Sequence, residues 1–164
     1  MYEARFSTWR AWVERNHHER IARPGVYAIA LTSQSLSGRA FSWRKDIIYV
    51  GMTNGLAGLK GRLQQFDRTM AGKLSHGGAD RVRFKHRDYD KFTKRAYVSV
   101  APFECDPGSN LSGDLRIMGD VARFEFYCLA HFVERFHRLP KFNDKKAAPK
   151  LSKSRLTKST ATSR

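Results

Sequence analysis

Glu125 carries the heaviest physical demand in this sequence. Its helix-face neighbours at −4, −3, +4, +7 and +11 are Val121, Ala122, Leu129, Phe132 and Phe136, all apolar. A carboxylate on such a face is costly unless it meets a cation. Two expectations follow: a functional metal ligand, or a structural ion pair with an arginine at the core edge. Glu134 is the contrast, because its neighbours at ±3 and ±4 are Ala130, His131, His137 and Arg138, an ordinary polar face. Tyr27 and Tyr49 each sit centrally in an apolar, strand-like run. If those strands pair, the two phenols share a face. Each alone also reads as a core aromatic with its hydroxyl at the rim. Arg62 lies beside the apolar stripe of a helix and, alone, reads as a solvated arginine. His76 stands in the loop Ser75-His76-Gly77-Gly78, as a proton donor or as an exposed loop residue.

The elements that must position these residues are α+β in pattern. Ser7 reads as the N-cap of a helix over 7–20 with Trp9, Trp12 and Val13 at helical spacing. Residues 25–31 and 46–52 read as strands, and 59–70 as a helix with Leu59, Leu63, Phe66 and Met70 on one stripe. Residues 71–80 read as a Gly-rich loop, 81–85 as a further short strand, and 96–103 as a strand. The longest helix is expected from Asp114 to Arg138, stopping before Pro140. The economical architecture is a small, mainly antiparallel sheet of three strands or slightly more, flanked by helices. The organisation expected is a helical extension over 1–23, a domain over 24–146 and a flexible basic tail over 147–164.

The chain has 164 residues, 31 Lys or Arg against 15 Asp or Glu, and a net charge of +16. Residues 141–164 carry +7 of that and the body +9. Such a surplus favours polyanionic partners, nucleic acid first and an anionic membrane surface second. No apolar run approaches the roughly 18 residues of a membrane span, and no signal peptide is visible at the N-terminus. Cys105 and Cys128 cannot make a disulfide framework, so a reducing cytoplasm is the expected compartment. No HxxxH with a third ligand appears, so zinc is not indicated, and His17, His18, His131 and His137 read as helix-surface residues.

Gly25-Val26-Tyr27 followed by Tyr49-Val50-Gly51 resembles the paired signature of the GIY-YIG nuclease family. The flanks are similar too: Leu59-Lys60-Gly61-Arg62-Leu63-Gln64-Gln65-Phe66, then Glu125 with Cys128 and Leu129, then Pro140-Lys141-Phe142-Asn143. The resemblance spans about residues 24 to 144. It implies a DNA endonuclease that hydrolyses phosphodiesters with one divalent metal, Mg²⁺ or Mn²⁺, held by Glu125. It implies Tyr27 as general base, Tyr49 positioning water or phosphate, Arg62 on the scissile phosphate and Asn143 orienting the site. The chemistry suits these residue types. A hard cation takes a carboxylate plus waters, and a forked arginine neutralises a phosphoryl transition state. A phenol, with its reference pKa near about 10, must be lowered to act as a base.

Departures from the family pattern shape further expectations. Tyr27 and Tyr49 are 22 positions apart, which makes 32–45 an insertion whose Arg39, Trp43, Arg44 and Lys45 are candidate DNA contacts. Met52 stands where many members carry lysine, with Lys60 as a substitute phosphate contact. Phe66 stands where members often have Tyr or His, and His76 is the candidate replacement. Glu125 and Asn143 are 18 apart, longer than usual. In the tail, Lys153 and Arg155 are expected to bind DNA non-specifically. The partner expected is DNA, with branched or structured forms among the substrates, and double-strand cleavage would need a dimer or two events. The competing readings are a catalytically weak or inactive nucleic-acid-binding module on the same fold, and a basic ribosome- or nucleoid-associated structural protein.

Overall fold

The computed structural model of the chain describes residues 5–73 and 76–151. Its elements are β1 (Arg10–Ala11), a 3₁₀ turn (Trp12–His17), β2 (Gly25–Leu31), β3 (Ile47–Thr53), α1 (Gly58–Met70), α2 (Gly77–Lys85), α3 (Tyr89–Arg95), β4 (Ala96–Pro102) and α4 (Ser112–Phe136). The four strands form one antiparallel sheet in the order β1-β4-β2-β3. The fold is α+β, as the pattern of elements predicts.

β2 is a central strand, buried at every position except Leu31, which is half-buried. That explains its near-continuous apolar sequence. Its alternate residues feed two cores. Tyr27 and Ile29 join Leu59, Leu63, Phe66 and Met70 of α1 with Ala79, Val82 and Phe92 of α2 and α3. Val26, Ala28 and Ala30 join Val121, Cys128 and Phe132 of α4. Helices therefore cover both faces. A bulge falls where Ile29 pairs with Tyr49 and Ala30 with Ile47, leaving Ile48 as the extra residue. The bulge turns Ile48 and Tyr49 toward the α1 side together, while Ile47 and Val50 face α4.

The structure departs from the sequence expectations in several places. Residues 7–20 are not a helix. Trp9 packs into the α4-side core and Trp12 into the α1-side core, so the segment wraps the sheet edge. A helix keeps residues three apart on one face and cannot do this. Ser7 is no N-cap; its Oγ accepts from the Val100 amide at 3.1 Å. His18 is not a surface residue but is 4% exposed, with Nε2 3.2 Å from the Val98 carbonyl oxygen. Residues 81–85 are helical, inside α2, and α3 was not expected at all. The 32–45 insertion supplies core: Leu36 is fully buried, and Phe41 stacks on Phe6 with centroids 4.1 Å apart. Trp43 lies edge-on to Phe41 at 5.1 Å and near Phe132 at 6.3 Å, so it serves packing. Ala148 and Leu151, expected in the tail, are each 4% exposed. Residues 152–164, with Lys153 and Arg155, lie outside the described residues.

Candidate active site

Tyr27 pairs with Gly51 and Ile29 with Tyr49, so the two tyrosines sit diagonally on one face, with ring centroids 6.0 Å apart. Gly51 makes this seating possible. A Cβ there would lie 2.6 Å from the Tyr27 hydroxyl oxygen and 2.8 Å from the Tyr49 ring. Gly78, in the first turn of α2, does the same for Tyr49, since a Cβ would approach the Tyr49 ring to 2.4 Å. The helix start can therefore close directly over the phenol.

His76 is neither a loop residue nor solvent-facing. It is 2% exposed and caps α2, its Nδ1 accepting from the amides of Gly78 at 3.1 Å and Ala79 at 3.2 Å. An Nδ1 that accepts two amides bears no proton, so the neutral ring carries its hydrogen on Nε2. That nitrogen lies 2.9 Å from the Tyr27 oxygen and donates to it. Burial first, then the Arg62 charge, pushes the His76 pKa down to about 3. His76 is thus a fixed neutral donor with both nitrogens occupied, which removes it as the proton donor to a leaving oxygen. It does lie against Phe66, with ring centroids 5.0 Å apart, beside the position it was expected to replace.

Tyr27 is wholly buried. Burial raises its pKa well above the ordinary phenol value, repulsion from an ionised Tyr49 adds to this, and the Arg62 charge opposes it. A sealed hydroxyl does not meet an attacking water, so the role of Tyr27 as direct base does not fit its place. Tyr49 is the half-buried member of the pair. Burial raises its pKa too, while the charges of Arg62 and Arg81 pull it down.

Arg62 stands at the centre of these groups. Its Nη1 donates to Gln65 Oε1 at 3.3 Å, and its buried Nε–H has no hydrogen-bond partner. Its charge acts on Tyr27, Tyr49, His76 and Glu125 alike. Glu125 arrives from α4, half-buried, beside β3, where the nearby Met52 amide favours its charged form. Burial raises its pKa, and the charges of Arg62 and Lys145 oppose this. Among the described residues it forms no salt bridge, so the structural ion pair is not what holds it.

Asn143 reaches β3 from the segment after α4. Its side-chain amide donates to the Val50 carbonyl at 2.7 Å and accepts the Val50 amide at 2.8 Å. It therefore acts as a one-residue strand, pinning the backbone between Tyr49 and Gly51. Met52 is half-buried against the α4-side core, and Phe66 is fully buried.

The expected DNA contacts divide. Arg39, Lys45 and Lys60 are exposed. Arg44 is not available in the same way, because its Nη2 donates to Asp46 Oδ2 at 2.7 Å and its Nε to Oδ1. Lys145 and Lys150 approach the site and were not anticipated; their only sequence signal is a position shortly after Asn143.

No group of three or more His, Cys, Asp or Glu occurs among the described residues, so a multi-ligand metal cage is absent from them. The donor set that exists is one carboxylate lacking a salt bridge, among neutral phenols and an arginine. That set fits a hard divalent cation that keeps most of its waters and takes further oxygens from a phosphate. It does not fit zinc or another ion that demands several nitrogen or sulfur ligands. No protein-family model matches the chain, and neither a curated protein nor a solved structure matches it.

Proposed function

We propose that this chain is a metal-dependent DNA endonuclease of the GIY-YIG type. The observation that carries the reading is the convergence of Tyr27, Tyr49, Arg62 and Glu125, from four different elements, on one arginine-centred cluster. Glu125 would hold a Mg²⁺ or Mn²⁺ ion. The ion, when bound, supplies charge to acidify water and neutralise phosphate oxygens. Arg62 binds a non-bridging phosphate oxygen through its terminal guanidinium nitrogens, the forked donors suited to a phosphate. Tyr49, the phenol with solvent access, takes the proton of the attacking water as its phenolate, having first released its own proton to solvent under the pull of the Arg62 and Arg81 charges and of the bound ion. Tyr27, His76 and Asn143 position it.

The polyanion demanded by +16 is DNA in this reading, and Arg39, Lys45 and Lys60 are its exposed contacts. A binding module without catalysis is the second reading. It is favoured by the raised pKa of both phenols and by Met52 in place of a lysine. Supercoiled plasmid incubated with the protein in Mg²⁺ and in EDTA separates them. The nuclease produces nicked or linear DNA in Mg²⁺ only; tight binding with no cleavage of supercoiled, single-stranded, flapped or branched DNA selects the binding module.

A further inference from the structure

The segment after α4 does not leave the molecule. The chain turns at His137, whose φ of 56° is left-handed, and Arg138 Nη2 donates to the Lys45 carbonyl at 2.8 Å. It then runs along the free edge of β3. The Phe142 amide donates to the Ile48 carbonyl at 3.0 Å, and Asn143 clamps Val50. Asp144 Oδ1 accepts the amides of Lys146 at 3.0 Å and Ala147 at 3.1 Å, folding the chain back. Ala148 and Leu151 are then buried, Ala148 in the same core as Tyr27 and Phe66. These anchors bracket Lys145, Lys146 and Lys150, of which the first and last face the site.

Lys150 is held between Ala148 and Leu151 at the start of α2. A Cβ on Gly77 would lie 3.1 Å from its Nζ, so the ammonium sits beside the residue that follows His76. Lys145, at the other end of the turn, is exposed and close enough to Glu125 for its charge to pull that carboxylate down. Neither lysine makes a salt bridge among the described residues. An ammonium beside the positive end of a helix is repelled by it, and an anion between the two relieves the repulsion. Lys150 lies beside the residue that follows His76, and Lys145 comes two residues after Asn143, which clamps the strand that carries Tyr49, so the segment sets both lysines beside the proposed phosphate site.

We propose that residues 140–151 are a strap that completes the active site, with Lys145 and Lys150 binding phosphates of the DNA strand on either side of Arg62. The strap supplies the positive charge that Met52 does not. The inference rests on the nuclease reading for its catalytic consequence, but the phosphate contacts stand or fall separately.

The test uses the full chain with Lys145→Ala, Lys150→Ala, the double variant and both Lys→Arg variants. Three quantities are read: affinity for a DNA duplex against salt with Ca²⁺ replacing Mg²⁺, single-turnover cleavage at saturating DNA in Mg²⁺, and thermal melting. Each phosphate contact contributes roughly 0.9 to the slope of log affinity against log salt. The double variant should lose a slope of about two, cleave about tenfold or more slowly at saturation, and melt as the wild type does. Arginine at either position should restore most of both. A double variant with wild-type slope overturns the proposal, whatever happens to cleavage. A reduced slope with cleavage unchanged at saturation removes the strap from the active site. A reduced slope in a protein that never cleaves DNA keeps the phosphate contacts and refutes the nuclease reading instead.

Discussion

At the scale of residues, the tyrosine pair is asymmetric, and the asymmetry assigns the work. Tyr27 is sealed and receives a hydrogen bond from His76; Tyr49 is half-buried and lies under the charges of Arg62 and Arg81. General-base catalysis contributes about 10²- to 10⁴-fold. Tyr49→Phe should therefore lower the single-turnover rate at saturating DNA by at least about 100-fold while leaving affinity nearly unchanged. Tyr27→Phe keeps the ring in the core and loses only the hydrogen bond from His76, so its loss should be the smaller one. Equal losses, or the reverse order, would move the base to Tyr27. Glu125 and the shared face of the tyrosines are legible in the sequence because each rests on a local rule: an acid on an apolar helix face, and alternation along paired strands. The cap formed by His76 is not legible, since Ser, Thr, Asp and Asn are the usual N-cap residues and the Gly-Gly that follows reads as loop.

At the scale of elements, β3 is an edge strand whose outward backbone is engaged by the segment after α4: the Ile48 carbonyl by the Phe142 amide, and the Val50 amide and carbonyl by Asn143. This is how the fold protects the edge and also how it holds Tyr49 and Gly51 in register. Asn143→Ala leaves the Val50 amide and carbonyl without partners, which costs about 1–3 kcal/mol in buried settings. The Val50 amide should then exchange with deuterium at least tenfold faster, while β2 amides keep their protection. Unchanged protection at Val50 would show that the clamp is dispensable. β2, β3, β4, α1 and α4 are readable from hydrophobic period and breakers. The 7–20 segment misleads because its tryptophans mimic helical spacing while packing on opposite faces of the sheet. The 32–45 insertion misleads because its aromatic residues sit among charges, although packing rather than charge decides their place.

At the scale of the whole molecule, two buried histidines tie distant segments to the sheet. His18 fastens the N-terminal wrap to β4, and His76 fastens α2 to β2. Burial is the first cause of both shifts, which take His18 down to about 4 and His76 down to about 3 from an ordinary 6.5. A histidine whose pKa is lower when folded binds more protons when unfolded. Its neutral form therefore stabilises the fold fully above about pH 6.5, and that contribution is lost as pH falls toward 4 and then 3. Urea midpoints should be flat from pH 8 to 7 and decline steadily from 6.5 to 4. His18→Gln should flatten the upper part of that decline; a midpoint constant down to pH 4 would contradict the burial of both rings.

The net charge of +16 also divides by place once the chain is folded. Arg15 is paired with Asp67, Arg20 and Arg23 with Glu104, and Arg44 with Asp46. Of the cations near the cluster, Arg62 and Lys145 act on the half-buried Glu125, Arg81 acts with Arg62 on Tyr49, and Lys150 lies beside Gly77. The most direct test of that centre is the Mg²⁺-dependent cleavage of supercoiled plasmid by wild-type protein and by Glu125→Ala, with DNA affinity measured in parallel. The account predicts cleavage by the wild type that EDTA abolishes, a loss of at least about 1,000-fold in Glu125→Ala, and affinity for DNA retained. Cleavage by Glu125→Ala at the wild-type rate would contradict it.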